Sequence, residues 1–123
     1  MKSIPYKLTT DASGDVTVTN TITGKLIAVE VAAGTLTTAT ISVTKVLEGT
    51  TSVTYFSKAS CATGIYYPRI YAQTNAGVDL TYDATRKIPV EQAMSGEINV
   101  IVASGGNTLT GTVILHYEWL NWA

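Results

Sequence analysis

The chain reads as an all-β, antiparallel β-sandwich, and three observations predict it. Threonine and β-branched apolar residues alternate in Asp15-Val16-Thr17-Val18-Thr19 and Thr40-Ile41-Ser42-Val43-Thr44. A side-chain period of two sends one set to a core and the other to solvent, which is the signature of half-buried strands. Turn-forming residues punctuate the chain at short intervals, and no segment carries the apolar spacing of a long helix. At 123 residues the chain fits one domain, 1–123, able to bury a core without disulfides.

Taken in order, Ile4 to Thr9 forms a first strand, where Pro5 favours an edge or a strand start. Asp11-Ala12-Ser13-Gly14-Asp15 predicts a hairpin turn, because Asp and Ser bond nearby backbone and Gly accepts positive φ. Val16 to Thr19 extends, Asn20 to Gly24 turns, and Lys25 to Val31 extends again. In that last segment Ile27, Val29 and Val31 share one face, and Leu26, Ala28 and Glu30 the other. Both faces are largely apolar, so the strand belongs at the centre of a sheet or against a partner.

Ala33-Gly34-Thr35 breaks the chain before a strand at Thr38 to Val46. Glu48-Gly49-Thr50 turns into Ser52 to Ser57. Lys58 to Tyr67 is the longest irregular stretch, and such loops commonly make contacts. Pro68 to Gln73 and the alternating Val78, Leu80 and Tyr82 predict a hairpin around Thr74-Asn75-Ala76-Gly77. Ile88 to Ser95 is the one helical expectation, of one or two turns, with Pro89 in the first turn and Gly96 as its stop. Glu97 to Ala103 and Thr110 to Glu118 close the fold, the latter with Val113, Leu115, Tyr117 and Trp119 on one side. About nine short strands with at most one short helical turn imply a sandwich or small barrel.

Composition narrows the function classes. Hydrophobic residues make up 46% of the chain and charged ones 14%, against an average charged share of about 25%. With a mean hydropathy of +0.21, some surface is expected to be covered by other subunits. Eight scattered Lys and Arg and a net charge of -1 leave no phosphate-binding stripe, so no nucleic-acid partner is expected. No apolar run approaches the roughly 18 residues of a membrane span, so no membrane partner is expected. Met1 to Lys7 has no apolar signal core, which predicts residence in the cytosol.

Catalysis needs a base, and the one histidine is His116, on the face of Ile114 and Glu118; a strand-surface histidine paired with a neighbour is the expectation, and no enzyme is predicted. Cys61, the one cysteine, lies in a small-residue stretch without an adjacent base and reads as an unreactive free thiol. One His and one Cys far apart exclude ordinary zinc patterns, and Asp11 with Asp15, or Asp79 with Asp83, form no dense oxygen-ligand loop. No cofactor is expected. Aromatic residues are the more informative set: Tyr66, Tyr67 and Tyr71 cluster around Pro68-Arg69, and Trp119 and Trp122 lie at the end of the chain. Exposed, such rings anchor protein interfaces or stack on sugars.

The segments Tyr67-Pro68-Arg69, Thr74-Asn75-Ala76-Gly77-Val78-Asp79-Leu80, Gly96-Glu97-Ile98-Asn99-Val100 and Gly111-Thr112-Val113-Ile114-Leu115-His116-Tyr117-Glu118 resemble the small β-rich virion proteins of tailed bacteriophages, among them capsid decoration or cement proteins. The resemblance covers the second half of the chain. It implies a jelly-roll-like or related sandwich, homotrimers at capsid symmetry axes, and the major capsid protein as partner. It also implies a place on the virion surface after assembly in the host cytoplasm, and no catalytic residues. Residues expected at the partner surface are Ile4 and Tyr6 in the N-terminal segment, Leu26 and Ala28 on the two-sided strand, Tyr66 and Tyr67, and Trp119 and Trp122. A carbohydrate-binding or fibre module, with Tyr66, Tyr67, Trp119 or Trp122 as platforms, is the alternative, and a head-tail component is a third reading.

Overall fold

A computed structural model describes residues 2–36, 38–46, 52–71, 75–78, 86–87, 89–103 and 109–119. Every regular element among them is a strand: β1 (Lys2–Thr9), β2 (Val16–Ala32), β3 (Thr40–Val46), β4 (Ser52–Lys58), β5 (Gly64–Tyr66), β6 (Ile70–Tyr71), β7 (Pro89–Val90), β8 (Gln92–Ala103) and β9 (Thr110–Trp119). Seven form one sheet in the order β1-β9-β2-β8-β3-β4, with β5 also on β2, and β6 pairs with β7 separately. All pairings are antiparallel.

The sheet folds over on itself through β2. Residues from Val16 to Leu26 pair with β8, whereas Gly24 to Ala32 pair with β9, and Val29 to Val31 also with β5. One long strand therefore belongs to two leaves, β1-β9-β2-β5 and β2-β8-β3-β4. The leaves face each other across the core: the Tyr6 hydroxyl of β1 donates to the Ile98 carbonyl of β8 at 2.9 Å, although β9 and β2 separate those strands in the sheet order. Ile22, Leu26, Val29, Val31, Ile41, Val43, Ile98, Val100, Val113 and Leu115 fill the space between.

Three expectations change here. Asn20 to Gly24 is not a turn but the middle of the 17-residue β2, because Thr19, Thr21 and Thr23 stay outside while Ile22 stays inside and the ladder to β8 is unbroken. Gly24 marks a close approach: a Cβ there would stand 2.2 Å from the Glu118 carbonyl oxygen. The turn at Asp11 to Asp15 forms, with Asp11 accepting from Ser13 and Asp15 amides and Gly14 at φ 81. It joins β1 to β2 across the two leaves rather than closing a hairpin, since β9 takes the position beside β1. Ile88 to Ser95 gives no helix at its described residues. Pro89–Val90 pairs with β6 and Gln92 begins β8; a helix this short lacks the stability to compete with a ladder to β2.

The expected hairpin around Thr74 to Gly77 falls largely outside the described residues. The long stretch from Lys58 to Tyr67 contains β5 and is tied down at several points. The Cys61 amide donates to Ala39, the Ala33 amide to the Thr63 hydroxyl, and the Tyr66 hydroxyl to Ala62.

Candidate functional site

A β-bulge sets up the site. The register of β2 against β9 shifts between Leu26 and Ala28, so the extra residue, Ile27, reverses which side chains face inward. Leu26 is buried with Val29 and Val31, in place of the alternation Ile27, Val29, Val31 that the sequence implies. Beyond the bulge Ala28 and Glu30 occupy the outer side, beside His116, their neighbour on β9, and Ile65 of β5. The Arg69 guanidinium caps the bulge, donating to the Ile27 carbonyl at 2.8 Å and to the Pro68 carbonyl at 2.7 Å.

These groups enclose a pocket of about 260 Å³ lined by Ile27, Ala28, Glu30, Ile65, Tyr67 and His116. Its walls are mostly apolar, and its rim carries two open side chains: Ile65 is 51% and Tyr67 63% exposed. At its polar end His116 Nε2 stands 3.1 Å from Glu30 Oε1. On the other side of the ring, Ser3 Oγ lies 2.7 Å from Nδ1, across the register pair that β1 makes with β9. The ring can donate to Glu30 through Nε2, while Nδ1 shares a hydrogen bond with the Ser3 hydroxyl. A hydroxyl, an imidazole and a carboxylate in series can also support nucleophilic chemistry. Here, however, Ser3 is not among the pocket residues, so a molecule in the pocket meets the carboxylate side.

The partner residues expected from the sequence separate into four groups. Ala28, which is buried, and Tyr67, which is exposed, both line the pocket. Tyr6 and Leu26 are fully buried within the domain's own core, and Ile4 packs against that core. The bulge accounts for Leu26, and the inter-leaf hydrogen bond accounts for Tyr6. Tyr66 is taken up locally, its ring 5.4 Å from that of Phe56 and its hydroxyl on Ala62. Trp119 pairs through its backbone with Gly24, and Trp122 lies outside the described residues. Glu30 and Ile65 were not singled out from the sequence. Glu30 interrupting an apolar strand was the available signal; nothing in a linear reading places Ile65 next to it.

Tyr6, Cys61 and Asp11 have structural roles. Burial pushes the Tyr6 hydroxyl up to about 12. It also raises the thiol of Cys61, which is buried, and disfavours the reactive thiolate. Among the described residues, no group of three or more His, Cys, Asp or Glu gathers to hold a metal, and Asp11 spends its carboxylate on its own turn. No family model, curated protein or solved structure matches the chain.

Proposed function

We propose that the chain is a virion structural protein of a tailed phage, a decoration protein that docks on the major capsid protein lattice and stabilises the head. The observation that carries the reading is the outer side of the β1-β9-β2-β5 leaf. There Ile65 and Tyr67 stand open around a mostly apolar pocket with a single hydrogen-bonded polar cluster. An apolar centre with sparse, oriented polar groups is the anatomy of a protein-docking surface. Low charge and the resemblance of the second half of the chain to virion proteins point the same way; a homotrimer and a jelly-roll-like topology are part of the same proposal.

Cementing requires no bond chemistry. Contacts repeated over a lattice favour the closed particle by mass action and multivalency. Mass spectrometry of purified virions tests the reading, with loss of the protein from particles in a Tyr67→Ala, Ile65→Ser double variant as the expected result. Finding the wild-type chain absent from virions overturns it. A glycan-binding module is the second reading, favoured by the exposed Tyr67 ring beside a carboxylate.

A further inference from the structure

We infer that the pocket on β2, β5 and β9 is a receptor for one arginine side chain presented by a protein partner. The inference rests on the docking reading and names the partner group that the site would take.

Size comes first. At about 260 Å³ the pocket falls below the roughly 300–1,000 Å³ of sites for whole small molecules. One long side chain suits it better. The walls from Ile27, Ala28 and Ile65 match an aliphatic stem, which gains by leaving water. The polar end offers one carboxylate, on Glu30, whose 3.1 Å contact with His116 uses one of about four acceptor positions.

Charge selects the head group. The lining residues include no Lys or Arg: His116 is held between Ser3 and Glu30, and Arg69 is not in the lining, its guanidinium donating to the Ile27 and Pro68 carbonyls. An incoming cation therefore meets the one carboxylate of the lining, in a partly apolar setting where charge-assisted hydrogen bonds count most. A sugar ring fits less well, because its several hydroxyls would face Ile27, Ala28 and Ile65 with both nitrogens of His116 already engaged.

Geometry separates arginine from lysine. Tyr67 stands open at the rim, and a planar guanidinium can stack on such a ring while its fork reaches a carboxylate. An ammonium can also sit over a ring, but as a point charge it lacks the plane to stack and the fork to bind a carboxylate through two parallel hydrogen bonds.

The test is an amide-resolved NMR titration of the full chain with acetyl-arginine methylamide, with the lysine and citrulline counterparts as controls. Expected are saturating shifts at Ile27, Ala28, Glu30, Ile65 and Tyr67, with affinity in the millimolar range of a single-residue contact. Glu30→Gln should weaken binding at least about tenfold, and citrulline should give no saturating shift. Citrulline shifting these residues as arginine does, an unchanged Glu30→Gln, or no shift at about 100 mM probe overturns the inference. Particle binding is scored in parallel. If the arginine probe binds but Glu30→Gln still decorates virions, the pocket is an arginine site and the docking reading fails at this face. If the probe fails while Tyr67→Ala and Ile65→Ser abolish decoration, docking stands and the arginine assignment falls.

Discussion

The Tyr6 hydroxyl donates to the Ile98 carbonyl at 2.9 Å, pinning β1 of one leaf onto β8 of the other from inside the core. Both residues are fully buried, so this contact replaces the water that the hydroxyl and the strand carbonyl would otherwise need. It also makes the fold sensitive to alkali. Burial raises the Tyr6 hydroxyl from its ordinary 10.0 to about 12, so the folded state holds the proton more tightly than the unfolded chain. The resulting stability is complete below pH 10 and is lost as pH rises through 12. A shift of about two units corresponds to about 3 kcal/mol. Melting curves between pH 8 and pH 12 should show this decline, and Tyr6→Phe should flatten it while costing about 1 kcal/mol at pH 7. An equally steep alkaline loss in Tyr6→Phe would assign the effect elsewhere.

Gly24 and Gly77 should respond very differently to alanine. A Cβ at Gly24 would lie 2.2 Å from the Glu118 carbonyl oxygen and 3.2 Å from the Tyr117 ring, where β2 carries β8 on one edge and β9 on the other. Neither backbone can yield without opening a ladder, so Gly24→Ala should cost more than about 3 kcal/mol, at the severe end for point changes. At Gly77 nothing lies within 4 Å and only φ +81 opposes a side chain, so the cost should be about 1 kcal/mol. Denaturant midpoints measure both; equal losses would refute the close approach at Gly24.

Adjacent tyrosines offer a second contrast. Tyr66 packs on Phe56, donates to Ala62 at 2.7 Å and lies beneath the Lys58 ammonium, so Tyr66→Ala should destabilise by about 2 kcal/mol. Tyr67 is 63% exposed, and its alanine variant should melt within about 0.5 kcal/mol of the parent. Any loss of particle binding in Tyr67→Ala then reflects the lost surface rather than a lost fold. A strongly destabilised Tyr67→Ala would remove that interpretation.

Cys61 should resist modification until the chain unfolds. It is fully buried, its thiol is raised by that burial, and its amide is held by Ala39. A thiol reagent at neutral pH should label the native chain at least about a hundredfold more slowly than the urea-unfolded chain. Rapid native labelling would show that the Lys58 to Thr63 segment opens freely.

Much of this architecture is legible in the sequence, because period two is a local property. Beyond Gly96 the inward residues of β8, Ile98, Val100 and Val102, and the pair Val113 and Leu115 of β9 follow from alternation alone. Reading failed where the decisive contact was distant. Asn20 and Gly24 carry turn chemistry, yet β8 overrides it with a continuous ladder. Ile88 to Ser95 tolerates a helical turn, yet β6 holds Pro89–Val90 and β2 holds the segment from Gln92 onward as strand.

The candidate site shows the same division. From the sequence came the two-sided strand, the exposed-aromatic expectation that Tyr67 meets, and the strand-surface placement of His116 with a neighbour. Ser3, Glu30 and His116 lie 113 and 86 positions apart, and only strand pairing brings them together. The bulge at Ile27 belongs to neither strand alone. It arises where β2 changes partners between leaves, and a one-residue slip there turns Leu26 into core while leaving Ala28 and Glu30 on the outside. The sequence by itself determined that this chain is sheet and which residues alternate along each strand, since those follow from neighbours in the chain. Tertiary structure alone decided which of the two apolar faces of β2 became surface, because that depends on the register between strands remote in sequence.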